Sequence, residues 1–134
     1  MNIWERSRRM IITASITKLE FDTDNDVEQI HFEDRDQEIT GFIEIPLHVF
    51  SFSEADTSTI EVEIRPADVE IDDKDKKRLK VAYNAIFYQL TRTGDVTTRH
   101  LSAGGYLVRL ASKKALDIAA GDEREFKILV RTSE

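Results

Sequence analysis

The sequence predicts an all-β protein, an antiparallel barrel of about eight strands with one short helix. Three observations predict it. The dominant hydrophobic period is two residues, the mark of strands buried on one face. Glycines, a proline and a slip of phase fall inside those runs, and such irregularities let a small antiparallel sheet curl until its edges meet. No strand–helix–strand repeat occurs, which argues against a parallel sheet. A Greek-key barrel of the OB type is the first choice and a two-sheet sandwich the second.

Each element follows from the local pattern. Met10 to Phe21 alternates through Ile12, Ala14 and Ile16, then changes phase to Leu19 and Phe21, which predicts a bulged first strand. Val27 to Glu33 reads as a short second strand. Ile39 to Phe52 is the clearest run, with Ile39, Gly41, Ile43, Ile45, Leu47 and Val49 on one face. Its length and internal Pro46 require a strong bend or two strands. Ile60, Val62 and Ile64 alternate with Glu61, Glu63 and Arg65, a strand with one solvated face. Pro66 to Arg78 holds five acids and four bases with little periodicity, and reads as a flexible, solvated loop between two halves. Leu79 to Thr91 is a long strand, and Thr93-Gly94-Asp95 marks a hairpin turn. Val96 to Ser102 and Tyr106 to Ala111 follow as strands. Ser112 is placed to cap a short helix through Ala120, stopped by Gly121. Phe126, Ile128 and Val130 form a closing strand.

A chain of 134 residues fits one domain with a core of its own. Residues 10–134 are assigned to that barrel. Residues 1–9, with Trp4, Arg6, Arg8 and Arg9, form an N-terminal extension. Met1 to Met10 is too polar for a signal peptide, and no apolar run is long enough to cross a bilayer; both point to an intracellular protein with no membrane partner. The absence of cysteine excludes disulfides, thiolate metal sites and thiol nucleophiles.

The net charge of −7 hides an asymmetry. Residues 1–73 carry 6 basic and 19 acidic side chains, net −13, and residues 74–134 carry 13 and 7, net +6. An acidic total suits nucleic-acid phosphate poorly. If the split is also spatial, one acidic and one basic face would suit charged partner surfaces.

Few patterns suggest chemistry. Asp22-Thr23-Asp24-Asn25-Asp26 with Glu33 has the acid spacing of a calcium loop, but Val27 stands where glycine is needed and the flanks read as strands, so a solvated acidic loop is expected. No pair among His31, His48 and His100 has metal-ligand spacing, so no metal is expected. No nucleophile elbow, phosphate loop or dinucleotide fingerprint occurs, so neither catalytic residues nor a cofactor are expected. Lys74, Lys76, Lys77, Arg78 and Lys80 form the densest basic run, interleaved with Asp72, Asp73 and Asp75. Phe42, Phe50, Phe52 and Tyr88 are candidate base-stacking rings, with core or interface packing the commoner use of such residues.

The last third is the most specific. Gly104-Gly105 opens the alternating run Tyr106 to Leu110, and such a pair suggests close approach of the chain to something, or else only a turn. Here the chain resembles the eighth, small shared subunit of eukaryotic nuclear RNA polymerases and its archaeal counterpart. That family carries a Val-x-Tyr-Gly-x-x-aromatic strand, matched by Val81, Tyr83 and Phe87. It also carries an aromatic-Gly-Gly-Leu-Leu-Met-Arg-Leu strand, matched by Gly104, Gly105, Leu107, Arg109 and Leu110. Phe126, Ile128 and Val130 fit its closing strand. Glu44 to Phe50 followed by Ile60 to Ile64 is similar to its early strand pair. The likeness spans most of residues 10–132. Asn84 and Ala103 depart from it, standing for a glycine and an aromatic. The short 66–78 loop and the lack of cysteine look closer to the archaeal form.

The resemblance implies a non-catalytic assembly subunit of a multi-subunit DNA-directed RNA polymerase. It would be an OB-like barrel docked on the largest subunit, near the pore and funnel, with the active site and its metals on other chains. Contact with DNA or RNA would be indirect. The location would be cytoplasmic for an archaeal-like chain and nuclear for a eukaryotic one. Tyr83, Gly104, Gly105, Leu107 and Arg109 would be the partner-binding residues or their scaffold. The alternative is a free single-stranded nucleic-acid-binding OB module, which requires basic and aromatic residues to converge on one face.

Overall fold

The computed structural model describes residues 9–114 and 124–132. Its strands are β1 (Met10–Asp22), β2 (Val27–Asp34), β3 (Ile39–Pro46), β4 (Thr59–Pro66), β5 (Leu79–Thr93), β6 (Val96–Ala103), β7 (Tyr106–Ser112) and β8 (Glu125–Arg131). Among the described residues there is one short helix, α1 (Phe52–Ala55), between β3 and β4. All pairings are antiparallel, and the sheet closes in the order β1-β2-β3-β7-β6-β5-β8-β4. Among the described residues, no helix is long and apolar enough to cross a membrane.

The order has an internal logic. Strands β1–β4 lie in the order 4-1-2-3, which is a Greek key. Strands β5–β8 repeat it as 8-5-6-7. The two units meet like to like, β3 on β7 and β4 on β8. Their first strands are the longest, and both carry a bulge, at Thr17 in β1 and at Tyr88 in β5. Bulges raise local twist, which a closed barrel needs.

Because each Greek key is a continuous half of the chain, the charge split becomes a spatial one. The first key, residues 10–66, carries 3 basic and 14 acidic side chains. In the second, residues 79–112 and 124–132 carry 7 basic and 2 acidic ones. The barrel has an acidic side and a basic side.

Alternate residues fill the interior: Ile12 and Ala14 from β1, Ile30 and Phe32 from β2, Ile43 and Ile45 from β3, Ile60, Val62 and Ile64 from β4. Val81, Ala85, Leu101, Val108, Leu110, Phe126, Ile128 and Val130 complete it from the second key. All are branched or aromatic except two alanines, as a half-buried pleated surface favours.

Three expectations need correction. The third strand does not run to Phe52; it stops at Pro46, which ends the ladder. Leu47 to Val49 forms a turn, and Val49 is exposed rather than inward. Second, Phe52 does not extend that strand; it opens a short helix, Phe52–Ala55, which Ser51 caps and the fully buried Glu28 ties down. The Glu28 carboxylate accepts from Ser51 Oγ at 2.9 Å and Phe52 N at 2.6 Å. Phe52 therefore enters the core and is no surface stacking ring. The helix expected from Ser112 to Ala120 lies mostly outside the described residues; Ser112 itself ends β7.

Third, the 66–78 loop is not freely solvated. Its Asp75 reaches the outer side of β4 and β8, where Glu63, Arg65 and Arg131 are buried. Asp75 accepts from both terminal nitrogens of Arg65, at 2.9 and 2.8 Å. Its backbone carbonyl accepts from Arg131 Nε and Nη2 at 3.2 and 3.1 Å. Glu63 completes the cluster, taking Arg65 Nε at 2.7 Å and Arg131 Nη1 at 3.0 Å. The basic run beside Asp75 is thereby held against the barrel by one acidic residue.

Candidate functional site

The five residues singled out by the family motif separate into three groups. Tyr83 and Leu107 meet at Glu44. Tyr83 lies on the inner side of β5, and its hydroxyl crosses to β3 to donate to the Glu44 carbonyl at 2.7 Å. The Leu107 backbone N–H, one residue beyond the last β3–β7 backbone pair, donates to Glu44 Oε1 at 2.9 Å. Glu44 Oε2 accepts from Gln29 Nε2 at 2.8 Å. One glutamate thus extends the β3–β7 seam with its side chain and anchors the tyrosine with its backbone. Burial, the Glu44 charge and Tyr106 together push the Tyr83 phenol well above its ordinary range, so it stays protonated and donating. Tyr83→Phe is expected to cost about 1 kcal/mol, read as a lower midpoint in urea unfolding.

Gly104 and Gly105 form the two-residue turn of the β6–β7 hairpin, with φ of 58° and 101°. Two positive φ values in succession are what such a hairpin requires. A Cβ at either position would meet nothing within 4 Å, so the chain itself makes no close approach here. The close approach lies at Gly41, where a Cβ would fall 1.9 Å from the Arg109 carbonyl oxygen. Gly41 sits on β3 opposite Leu110, so the tight contact is the seam between the two Greek keys. The sequence holds a hint, a glycine in the middle of an isoleucine-rich strand.

Arg109 is the third group. It points outward from β7, with His100 of β6 on one side and Phe42 of β3 on the other. The register continues this row to His31 on β2 and Lys18 on β1, and Tyr88 joins it from β5. The rings lie close together. His31 and Phe42 centroids are 5.4 Å apart, Tyr88 and His100 6.1 Å, and the Arg109 guanidinium carbon stands 5.3 Å from the Phe42 centroid. None of these six residues is a carboxylate. The neighbouring acids are engaged: Glu20 by Lys18, Glu33 by Arg35, and Glu44 as described. Arg109 has no ion-pair partner among the described residues, and its Nε is buried without a hydrogen bond. His100 Nδ1 beside it is also buried and unpartnered, while its Nε2 contacts Thr91 Oγ1 at 2.9 Å. Burial first and Arg109 second pull His100 below the usual histidine range, so at neutral pH it adds no charge. Buried polar atoms without partners are uncommon, and two on one row mark it out.

Exposed apolar groups flank the row. Ile86 and Tyr88 are 55% and 50% exposed. Ile86 pairs across to Ser102, which pairs with Leu107, so these two apolar residues share one edge of the patch, with Tyr88 two positions beyond Ile86 on β5. The bulge brings Tyr88 to this surface, and sequence alone does not fix such a local irregularity. Phe42 and Tyr88 are thus surface rings as expected. Phe50 instead packs edge-on against the buried Phe52, away from this row.

The other candidates do not converge. Asp22 closes the β1–β2 turn on itself, accepting from Asp24 N at 3.0 Å and from Asn25 Nδ2 at 2.6 Å. Glu33 lies six residues up β2 from Val27, about 20 Å away at about 3.3 Å per residue, and pairs with Ser15. The two ends of the calcium-like spacing therefore cannot share an ion. His48 is exposed in the turn after β3 and pairs with Asp26. Among the described residues no group of three or more His, Asp or Glu is arranged to hold a metal. Comparison with protein-family models and with curated proteins finds no match.

Proposed function

We propose that this chain is a non-catalytic assembly subunit of a multi-subunit DNA-directed RNA polymerase and docks on the largest subunit. The observation that carries the reading is the clustering of its motif residues. Gly104 and Gly105 turn the chain into β7, which carries Leu107 and Arg109, and beside these lie the exposed Ile86 and Tyr88 and the half-buried Phe42. Tyrosine and arginine ringed by apolar groups are the residues on which protein interfaces concentrate their energy. Glu44, Tyr83 and Gly41 serve as the scaffold that fixes β7, and the active site belongs to other chains. Purification of the tagged chain from its native cells at moderate salt tests this. Stoichiometric recovery of the two largest polymerase subunits is expected. Recovery of the chain alone, or with nucleic acid only, overturns it.

The row of Tyr88, His100, Arg109, Phe42 and His31 also favours a second reading, a single-stranded nucleic-acid-binding module. Rings for stacking and a cation for phosphate share one face there. Fluorescence anisotropy with labelled single strands at two salt concentrations separates the readings. Strongly salt-dependent binding supports the module, and no binding at low salt removes it.

A further inference from the structure

We infer that the Arg109 row is the contact surface itself and that its occupant is an acidic polypeptide segment of the partner, one carboxylate beside an apolar side chain. The inference rests on the polymerase reading and specifies its chemistry. Among the described residues of the row, the guanidinium is the only charge without a counterion, since Lys18 is held by Glu20. Phe42 stands beside the guanidinium, 5.3 Å from ring centroid to Cζ, and the planar fork of an arginine matches a two-oxygen acceptor. Ile86, Tyr88 and Leu107 form the apolar edge beside it. Arg109, Ile86, Tyr88 and Leu107 all belong to the basic Greek key, and an acidic segment complements the charge of that side.

A nucleic-acid strand fits the same row less well. Strand binding draws its strength from neutralising several phosphates, and among the described residues the row offers one free cation. The acidic Greek key begins at the very next strand, β3, and would repel a polyanion extending in that direction. A single carboxylate needs only the single guanidinium.

The test compares the tagged full-length chain with Arg109→Glu, Arg109→Gln and Ile86→Ser in native cells, reading the large polymerase subunit recovered per tagged chain. Arg109→Glu should reduce recovery at least tenfold, Arg109→Gln less, and Ile86→Ser measurably. The melting temperature should stay unchanged, because Arg109 forms no ion pair with the described residues of the barrel. Arg109→Gln keeps the outcome readable if the charge reversal prevents folding. Equal recovery by wild type and Arg109→Gln overturns the inference and leaves the polymerase reading standing. No polymerase with the wild type overturns that reading, and the inference with it. Loss of labelled single-strand binding in Arg109→Glu, with polymerase recovery unchanged, assigns the row to nucleic acid instead.

Discussion

Gly41→Ala is expected to lower the melting temperature by about 10 °C, the larger of the single-methyl effects this barrel offers. The added Cβ would stand 1.9 Å from the Arg109 carbonyl oxygen and 2.9 Å from its carbon. Both atoms are backbone, so no side chain can swing away. The ladder of β3 on β7, from Ile39 opposite Ser112 to Ile43 opposite Val108, must open or slide. That ladder is one of only two seams joining the Greek keys. A strained seam therefore loosens the closed barrel as a whole, with a cost of about 2–3 kcal/mol. Thermal unfolding followed by circular dichroism measures it. A change under about 2 °C would show that β7 yields without cost. The same substitution at Gly104 meets open space and places alanine at φ 58°, so its penalty is the smaller one of a left-handed backbone.

Asp75→Asn is expected to destabilise the fold by about 3 kcal/mol at neutral pH. The carboxylate takes both terminal nitrogens of Arg65, whereas the bond from Arg131 to the Asp75 backbone carbonyl survives the substitution. Arg65, Glu63 and Arg131 are 3%, 2% and 6% exposed, so the charges left behind cannot turn to water. Removing one partner of a buried cluster costs more than the pair contributes, because Arg65 is left to share Glu63 with Arg131 as its one buried counterion among the described residues. Hydrogen bonds from Arg65 come first among the causes that hold the Asp75 carboxyl far below the ordinary aspartate range, opposed by burial and aided by Asp72 N and Arg131.

The sign of the pH dependence follows from that depression. An unfolded aspartate titrates near about 4, and the folded one only at lower pH. The stabilisation is complete above pH of about 4 and fades as the pH falls through the folded value. The stability difference between wild type and Asp75→Asn should be constant from about pH 7 to 5 and shrink below pH of about 4. Urea midpoints at a series of pH values check it. A difference that grows on acidification would reverse the assignment. The loop that carries Lys74, Lys76 and Lys77 should also become protease-sensitive in the variant, since Asp75 is its tie to the barrel.

The family motif illustrates what a linear pattern conveys. Tyr83 and Leu107 are 24 positions apart in sequence, yet both are fixed by Glu44, a residue that in the sequence is only part of an early strand. The two glycines are legible as backbone requirements, but not whether a turn or a close approach needs them. The open space around them and the contact at Gly41 decide that in favour of the turn. The histidines give no signal by spacing in the sequence because their neighbours are set by register: His31 opposite Phe42, and His100 opposite Arg109.

The sequence by itself determined that this is an all-β barrel, where most strands lie, that β1 carries a bulge and that acid and base divide between the halves. These properties are local or additive. Period-two burial sets the strand faces, proline and glycine interrupt them, and charge is a count. The tertiary structure alone decided that two Greek keys repeat and meet at matching strands, that Asp75 holds a loop down on two arginines, and that Arg109 faces outward between Phe42 and His100. Those facts depend on which strands become neighbours and in what register. A shift of one residue turns every side chain to the opposite face, so pairing across distant segments determines what a residue can touch.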